Sequence, residues 1–453
     1  MLIQSLARGA AVAMMLAAAS DGRAQSLVAA STQAAGVSTI VVVDPQTGAT
    51  QPYLTVPVTG SGNRQVYFMT QLPDGRLAAS IYTENSNADV TSELMLIDPQ
   101  AGTSTIGPFG APLNTSYIEG FEYSPRHGNL LVSFASFGNF GTNRLAVVNA
   151  DGSVVSTTGA LAGISDLDTI LSSATSDLFF DLNAGGNPRV KLLVNPLPAT
   201  TFAAFSSPPV QTAWFDGGIH PTTGEIIFTR PVSGRSQLTR LVGNAYVSGA
   251  DIANSLQVRG MTWANLPPRA AAPAVPTVCP SSAATIGVVA VGTGPFAYRW
   301  EFIGGPPPAT VTEWTAVVDG EVIAPAASGA PGQFLFNASN SGTSTLTVDR
   351  VTVPQGDPDG PGWIPAGVGQ YRFRCIITGP FGEFTAPESS FLLAPDLNAD
   401  GQINTADLTL LLVRFGQSAP AGSSAVIADL NADGAVNTAD LTLLLVRFGQ
   451  SCP

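Results

Sequence analysis

The sequence predicts a mainly β chain of several domains, a β-propeller followed by a β-sandwich, ending in a small α-helical module. Three observations carry this. Its 47 glycines and 35 prolines separate short runs rich in valine, threonine and phenylalanine, the texture of strands joined by tight turns. A hairpin pattern recurs through the first half at roughly fifty residues, the period of a four-stranded propeller blade. The last stretch is a duplication: DLNADGQINTADLTLLLVRFGQS (Asp396 to Ser418) returns 33 positions later as DLNADGAVNTADLTLLLVRFGQS (Asp429 to Ser451), altered only at 402/435 and 403/436.

At 453 residues the chain can bury two or three separate cores. Residues 1–24 read as an export signal, with Arg8, an apolar run from Ala10 to Ala19, and small residues Gly22 and Ala24 before the cleavage point. That run is too short to span a bilayer, and no other stretch approaches a span. The mature chain is therefore expected to be secreted, extracellular or at the cell surface, with no transmembrane segment. Only 11% of residues are charged, Lys191 is the sole lysine, and the net charge is -13. This balance argues against nucleic acid and anionic lipid as partners and suits calcium. Three cysteines in an exported chain allow one disulfide and leave one over.

Residues 25–268 hold the propeller-like repeat. Its clearest landmark is a strand before an Asp or Asn turn: STIVVVDPQTGAT from Ser38, ELMLIDPQAGTST from Glu93, RLAVVNADGSVVS from Arg144 and RVKLLVNPLPATT from Arg189, with SQLTRLVGNAYVS from Ser236 a fainter fifth. A first hairpin precedes four of these: VYFMTQLPDGRLAASIY, GFEYSPRHGNLLVSFAS, LDTILSSATSDLFFDLN and FDGGIHPTTGEIIFTR. Ser26 to Ser31 looks like the second strand of a blade whose first strand is Val258 to Ala264. Joining both ends of the unit in one sheet satisfies edge groups that an open array leaves exposed. The count is five blades, or six if one hairpin is misread.

Residues 269–276 (RAAAPAVP) form a proline-stiffened linker. From 277 to 394, Cys279, Trp300 in PFAYRWEF, the strand from Ser344 to Val351 and Cys375 in GQYRFRCIITG follow the Cys, Trp, Cys order of an immunoglobulin-like sandwich. The resemblance implies a disulfide between Cys279 and Cys375, packed on Trp300.

Residues 395–453 hold the duplication. Each copy opens with D-x-N-x-D-G, alternating hard oxygen donors with a glycine for the sharp turn, as a calcium loop requires. Asp396, Asn398, Asp400 and Asp407 supply one set of side chains, and Asp429, Asn431, Asp433 and Asp440 the other. Gln402 and Ala435 are expected to give only backbone carbonyls, which leaves their side chains free to vary. Two calcium ions follow. In the helices, Leu408, Leu411, Leu412 and Phe415 make one apolar stripe, and Leu441, Leu444, Leu445 and Phe448 its twin, expected to pack the helices together. Leu410, Val413, Leu443 and Val446 fall on other faces, as wider core or as an exposed patch for a partner.

This tandem resembles a type I dockerin, a duplicated calcium-loop and helix module that docks enzymes onto scaffold proteins. The resemblance implies a cohesin-like or other surface-anchoring partner. Cellulosomal modules often carry hydroxyl pairs and basic residues where this chain has Thr405-Ala406 and Leu412-Val413. With its terminal GQSCP, the chain is most similar to the GC-type dockerin domain-anchored proteins, and that likeness implies an anchoring role for Cys452. The equivalent place in the first copy is Ala419, so the cysteine is not part of the repeat.

No catalytic set stands out. Asp44 and Asp98 occupy the same turn of successive repeats, where Asn149 and Asn195 replace them, as side chains closing Asx-turns would. Glu119 and Asp216 lie near first strands and could face a channel, without a checkable acid and base spacing. His127 and His220 sit in hairpin turns with no second histidine or cysteine at metal-ligand spacing. Neither a G-x-S-x-G elbow nor a phosphate-binding glycine loop is present. The first reading is an exported, non-catalytic modular protein. Its rivals are a polysaccharide-degrading hydrolase with the propeller as active domain, and a propeller that binds glycan or protein without turnover.

Overall fold

The structure, a computed structural model, describes Gln25 to Ser451 except for residues 35, 59–62, 85–89, 137–138, 162–166, 182–188, 194–201, 207–215, 233–234, 243–244, 253–257, 274–276, 279–283, 305–310, 325–332, 350–370, 390–391, 394, 399, 420–424, 426–427 and 432. The expected signal (1–24), Cys279 and Cys452 lie outside the described residues. The chain divides into two compact units: Met1–Pro267 with Val291–Thr293, and Pro268–Ala290 with Gly294–Pro453.

The described part of the first unit contains five four-stranded antiparallel sheets. Ser26–Ala34 (β1), Val37–Val43 (β2) and Thr50–Pro57 (β3) belong to the first. The second is Asn63–Gln71 (β4), Leu77–Glu84 (β5), Val90–Asp98 (β6) and Thr103–Pro108 (β7). Ser116–Ser124 (β8), Asn129–Ser136 (β9), Asn139–Val148 (β10) and Val154–Thr157 (β11) form the third. The fourth takes Leu167–Ser172 (β12), Asp177–Asp181 (β13), Arg189–Leu193 (β14) and Phe202–Ser206 (β15). The fifth takes Gly217–Ile219 (β16), Ile226–Val232 (β17), Arg235–Val242 (β18) and Ala245–Asp251 (β19). Val258–Ala264 (β20) then returns to the first sheet, beside β1, with Ser26 opposite Ala264 and Val28 opposite Thr262.

Strand periodicity explains how the sheets stack. Successive side chains point to opposite faces, so one strand can feed two cores. In β1, Val28 and Ala30 join a cluster with Val66, Leu77 and Ile81 of the second sheet, whereas Leu27 and Ala29 join Ile227 and Leu238 of the fifth. First strands neighbour one another in a cycle: β20 lies against β4, β4 against β8, β8 against β12, β12 against β16, and β16 against β20. Close approach needs glycine here. A Cβ on Gly260 would stand 3.0 Å from both Met69 Cβ and the carbonyl carbon of Phe68. Gly260→Val is expected to cost about 1–3 kcal/mol by overpacking, read as a lower urea midpoint of the first unit.

In the second unit, Ala284–Gly287, Thr345–Asp349, Gln333–Ser339 and Gly320–Ala324 form one sheet. Val311–Ala316, Ala297–Gly304, Tyr371–Gly379 and Gly382–Thr385 form another. Trp300 and Phe302 alternate with outward Arg299 and Glu301, and fill a core with Ile286, Leu346, Phe373 and Cys375. Trp300 is fully buried and donates its indole N–H to Thr343 O at 2.9 Å. Outside, Arg374 binds Glu301 through two nitrogens and lies 4.2 Å over the Trp314 ring.

The sandwich core holds Cys375 as a free thiol, and burial pushes that thiol up to about 12. Alkylation is expected to spare Cys375 in the folded chain at neutral pH and to label it after unfolding without reductant. A peptide joining Cys279 to Cys375 in the mass map would overturn the free-thiol assignment.

Among the described residues, two α-helices complete the second unit, Thr405–Val413 (α1) and Thr438–Val446 (α2). Asn404 and Asn437 cap them in reciprocal boxes with Asp407 and Asp440. Leu411 and Leu444 are fully buried, with Leu408 and Leu441 packed against the same cluster. Leu412, Phe415, Leu445 and Phe448, expected in the stripe between helices, are instead 50%, 41%, 51% and 40% exposed. Ile403, Val436, Ala419, Ala425, Ala428 and Leu430 fill the core from the loops, so each nine-residue helix needs to bury only one narrow face.

Candidate metal centre and the buried acids of the first unit

Each terminal helix follows a loop whose carboxylates are gathered by backbone N–H groups. Asp396 accepts from Asp400 N (3.1 Å) and Gly401 N (2.9 Å). Asp407 reaches back from α1: Oδ1 accepts from Leu397 N (2.6 Å) and Asn398 N (3.2 Å), and Oδ2 from Asn404 N (2.8 Å). The second loop repeats the wiring. Asp429 accepts from Asp433 N (3.1 Å) and Gly434 N (2.9 Å), and Asp440 from Leu430 N (2.7 Å), Asn431 N (3.1 Å) and Asn437 N (2.8 Å). Gly401 and Gly434 turn the loops at φ +85 and +88, where a side chain would be strained.

Asp429, Asp433 and Asp440 each bring a carboxylate oxygen within 4.8 Å of the others, a group that could hold a metal ion. Among the described residues, the same trio of the first loop does not meet within that distance. Asp396 and Asp429 are largely buried, and burial holds both above the ordinary carboxylate range, with the neighbouring aspartates adding to the effect. Asp400 and Asp433 are held below it, first by hydrogen bonds from Asn398 and Asn431. No arginine or histidine pairs with any of these six aspartates among the described residues. Clustered hard oxygens without a cationic side chain fit calcium. Asn398 and Asn431 would add amide oxygens to such a site, and Gln402 and Ala435 backbone carbonyls. The caps Asn404 and Asn437, at the ninth loop position, also touch Asp400 and Asp433, at 3.4 and 2.9 Å. The sequence reading did not single them out, and N-x-x-D at the start of each apolar run is the signal that could have found them.

The acids of the first unit have different partners. Asp44 accepts from Gln46 N and Thr47 N, and Asp98 from Gln100 N and Ala101 N, which closes their turns. His220 Nδ1 likewise accepts from Thr222 N and Thr223 N. Asp216, 1% exposed, joins three sheets: Oδ2 accepts from Met69 N of β4 (3.2 Å) and Met261 N of β20 (2.8 Å), and Oδ1 from Gly217 N (2.9 Å). Glu119 is buried on β8.

Two further acids were not singled out from the sequence. Glu122 on β8 accepts from the Thr70 hydroxyl of β4. Asp177 accepts from Ser124 Oγ at 2.7 Å and lies 3.3 and 3.4 Å from Arg126 and His127. Burial keeps Asp216 and Glu122 well above the ordinary range, and for Glu122 the charges of Asp216 and Asp177 add to it. These carboxyls tie neighbouring sheets together.

Comparison with known proteins finds a type I dockerin domain at residues 394–448. No curated protein matches the chain. Among solved structures, TolB from Acinetobacter baumannii is 12% identical, covering 53% of this chain and 66% of that one with a TM-score of 0.31. CoXyl43, a GH43 β-xylosidase/α-arabinofuranosidase from a compost microbial metagenome, is 9% identical over 54% of this chain and 96% of that one, with a TM-score of 0.31. RS223-β-xylosidase is 9% identical over 53% and 96%, with a TM-score of 0.33. Likenesses this weak carry no functional weight.

Proposed function

We propose that this chain is an exported, non-catalytic modular protein, attached to a cell-surface or extracellular assembly through its dockerin module. In this reading the first unit is a five-bladed propeller, supported by five four-stranded sheets whose first strands form a cycle. The sandwich is an immunoglobulin-like spacer. Two calcium ions fold the terminal loops, and Cys452 makes the lasting link.

The carrying observation is the pair of exposed apolar bands. Leu412, Val413 and Phe415 on one repeat, and Leu445, Val446 and Phe448 on the other, are 40% to 70% exposed in a module with little core to spare. Contiguous apolar surface of this kind marks a protein-binding face. A cohesin-like partner offering an apolar surface suits it. Removing residues 395–453 is expected to move the protein from the cell surface to the medium without unfolding the β domains. Full retention of the shortened chain would overturn the reading.

The alternative is a polysaccharide hydrolase, favoured by the mutual influence of Glu122, Asp216 and Asp177. Their burial, at 8%, 1% and 0% exposure, supports the non-catalytic reading, because a substrate would have no access to them. Release of reducing sugar from any of a panel of polysaccharides, lost in Glu122→Gln, would reverse that preference.

A further inference from the structure

The two calcium loops do not clasp their own repeats. Gln402 of the first loop bridges to Ser451, beyond α2, and Ala435 of the second bridges to Ser418, beyond α1. Ile403 N donates to Gln450 O at 2.9 Å, and Gly449 N donates back to Ile403 O at 2.7 Å. In mirror fashion, Val436 N donates to Gln417 O at 3.0 Å, while Gly416 N and Ala419 N donate to Val436 O and Gly434 O, both at 2.8 Å. Gln402 Nε2 adds a bond to Ser451 Oγ at 3.3 Å.

One peptide group joins the two jobs. The carbonyl of Gln402, the backbone ligand expected at the seventh loop position, belongs to the same planar unit as the Ile403 N–H that grips Gln450. The Ala435–Val436 peptide stands in the same relation to Gln417. A cation drawing on such a carbonyl fixes the peptide plane and strengthens its N–H as a donor. Ile403 and Val436 are buried at 2% and 0%, so neither plane can turn without disturbing the core.

We propose that each calcium loop clamps the tail of the other repeat, so that occupancy of the first loop holds the chain's C-terminal residues, directly before Cys452, and the two sites bind calcium with positive coupling. This rests on calcium filling the loops as proposed above. It adds a crossed dependence that calcium-driven folding alone does not require.

Hydrogen exchange on the full-length chain in saturating calcium tests the crossing. Asp396→Ala with Asp400→Ala should speed exchange at Gly449 at least about tenfold more than at Gly416 and Ala419, and Asp429→Ala with Asp433→Ala should do the reverse, as local opening reports. Each pair loosening the tail of its own repeat would overturn the proposal. If either variant loses the fold of the whole module, a chain ending at Gly449 decides. Lacking the Gln450 acceptor, it should bind calcium in the first loop about fivefold more weakly, the worth of one hydrogen bond, with the second loop less affected. Unchanged affinity at both loops would overturn the clamp. Failure of the unaltered chain to bind calcium at all would remove the calcium reading itself, and the clamp with it.

Discussion

Stripping calcium from the full-length chain with excess chelator is expected to unfold residues 395–451 while the β domains stay folded. At free calcium about a hundredfold above the dissociation constant, each ion contributes about 2.7 kcal/mol, so two contribute about 5 kcal/mol. A module whose core is Leu411, Leu444, Ile403, Val436 and a few alanines has little more than that to lose. Asp396 and Asp429 act in the same direction, since both are buried beside other aspartates and a cation relieves the charge they must carry at neutral pH. Amides of Thr405–Val413 and Thr438–Val446 should lose their protection from hydrogen exchange on chelation. Equal protection with and without calcium would contradict this.

The second large effect is expected from Asp216→Ala. The substitution strands the buried N–H groups of Met69 and Met261 on two different sheets, at about 1–3 kcal/mol each, or roughly 2–6 kcal/mol in all. Urea unfolding should show the loss in the first unit alone, and a change within about 0.5 kcal/mol would refute the role assigned to Asp216.

A pH dependence follows with a definite sign. Asp216 and Glu122 hold their protons more tightly folded than unfolded. Their contribution is complete below the ordinary carboxylate range and is lost as pH rises through the raised values. The first unit should therefore resist urea better at about pH 5 than at about pH 8, and Glu122→Gln, which no longer titrates, should flatten that slope.

The parts that were legible in the sequence are those with a period or a fixed spacing. Turn signals such as LPDGR and DPQTG placed the hairpins, and the half-blade at Ser26 pointed to Val258–Ala264 as its partner, the pairing seen between β1 and β20. The D-x-N-x-D-G loops located the candidate ligands because their donors are set by local spacing. What escaped depends on contacts far apart in the chain. Glu122 and Asp177 look like ordinary strand and turn residues until Thr70 and Ser124 are brought beside them. The helix stripe misled at Leu412 and Phe415 because helical periodicity shows which residues share a face and not whether anything covers it.

The most direct test of the account compares surface retention of the exported protein in calcium, in chelator, and as the Val413→Asp/Val446→Asp variant. Those valines are 68% and 70% exposed, so the variant should keep its helices while losing the apolar bands. The expected result is retention in calcium, and release to the medium for the variant and for protein exported into chelator, because a chain that never docks does not present Cys452 for its link. Retention of the folded variant at the level of the unaltered chain, with or without calcium, would contradict the docking function.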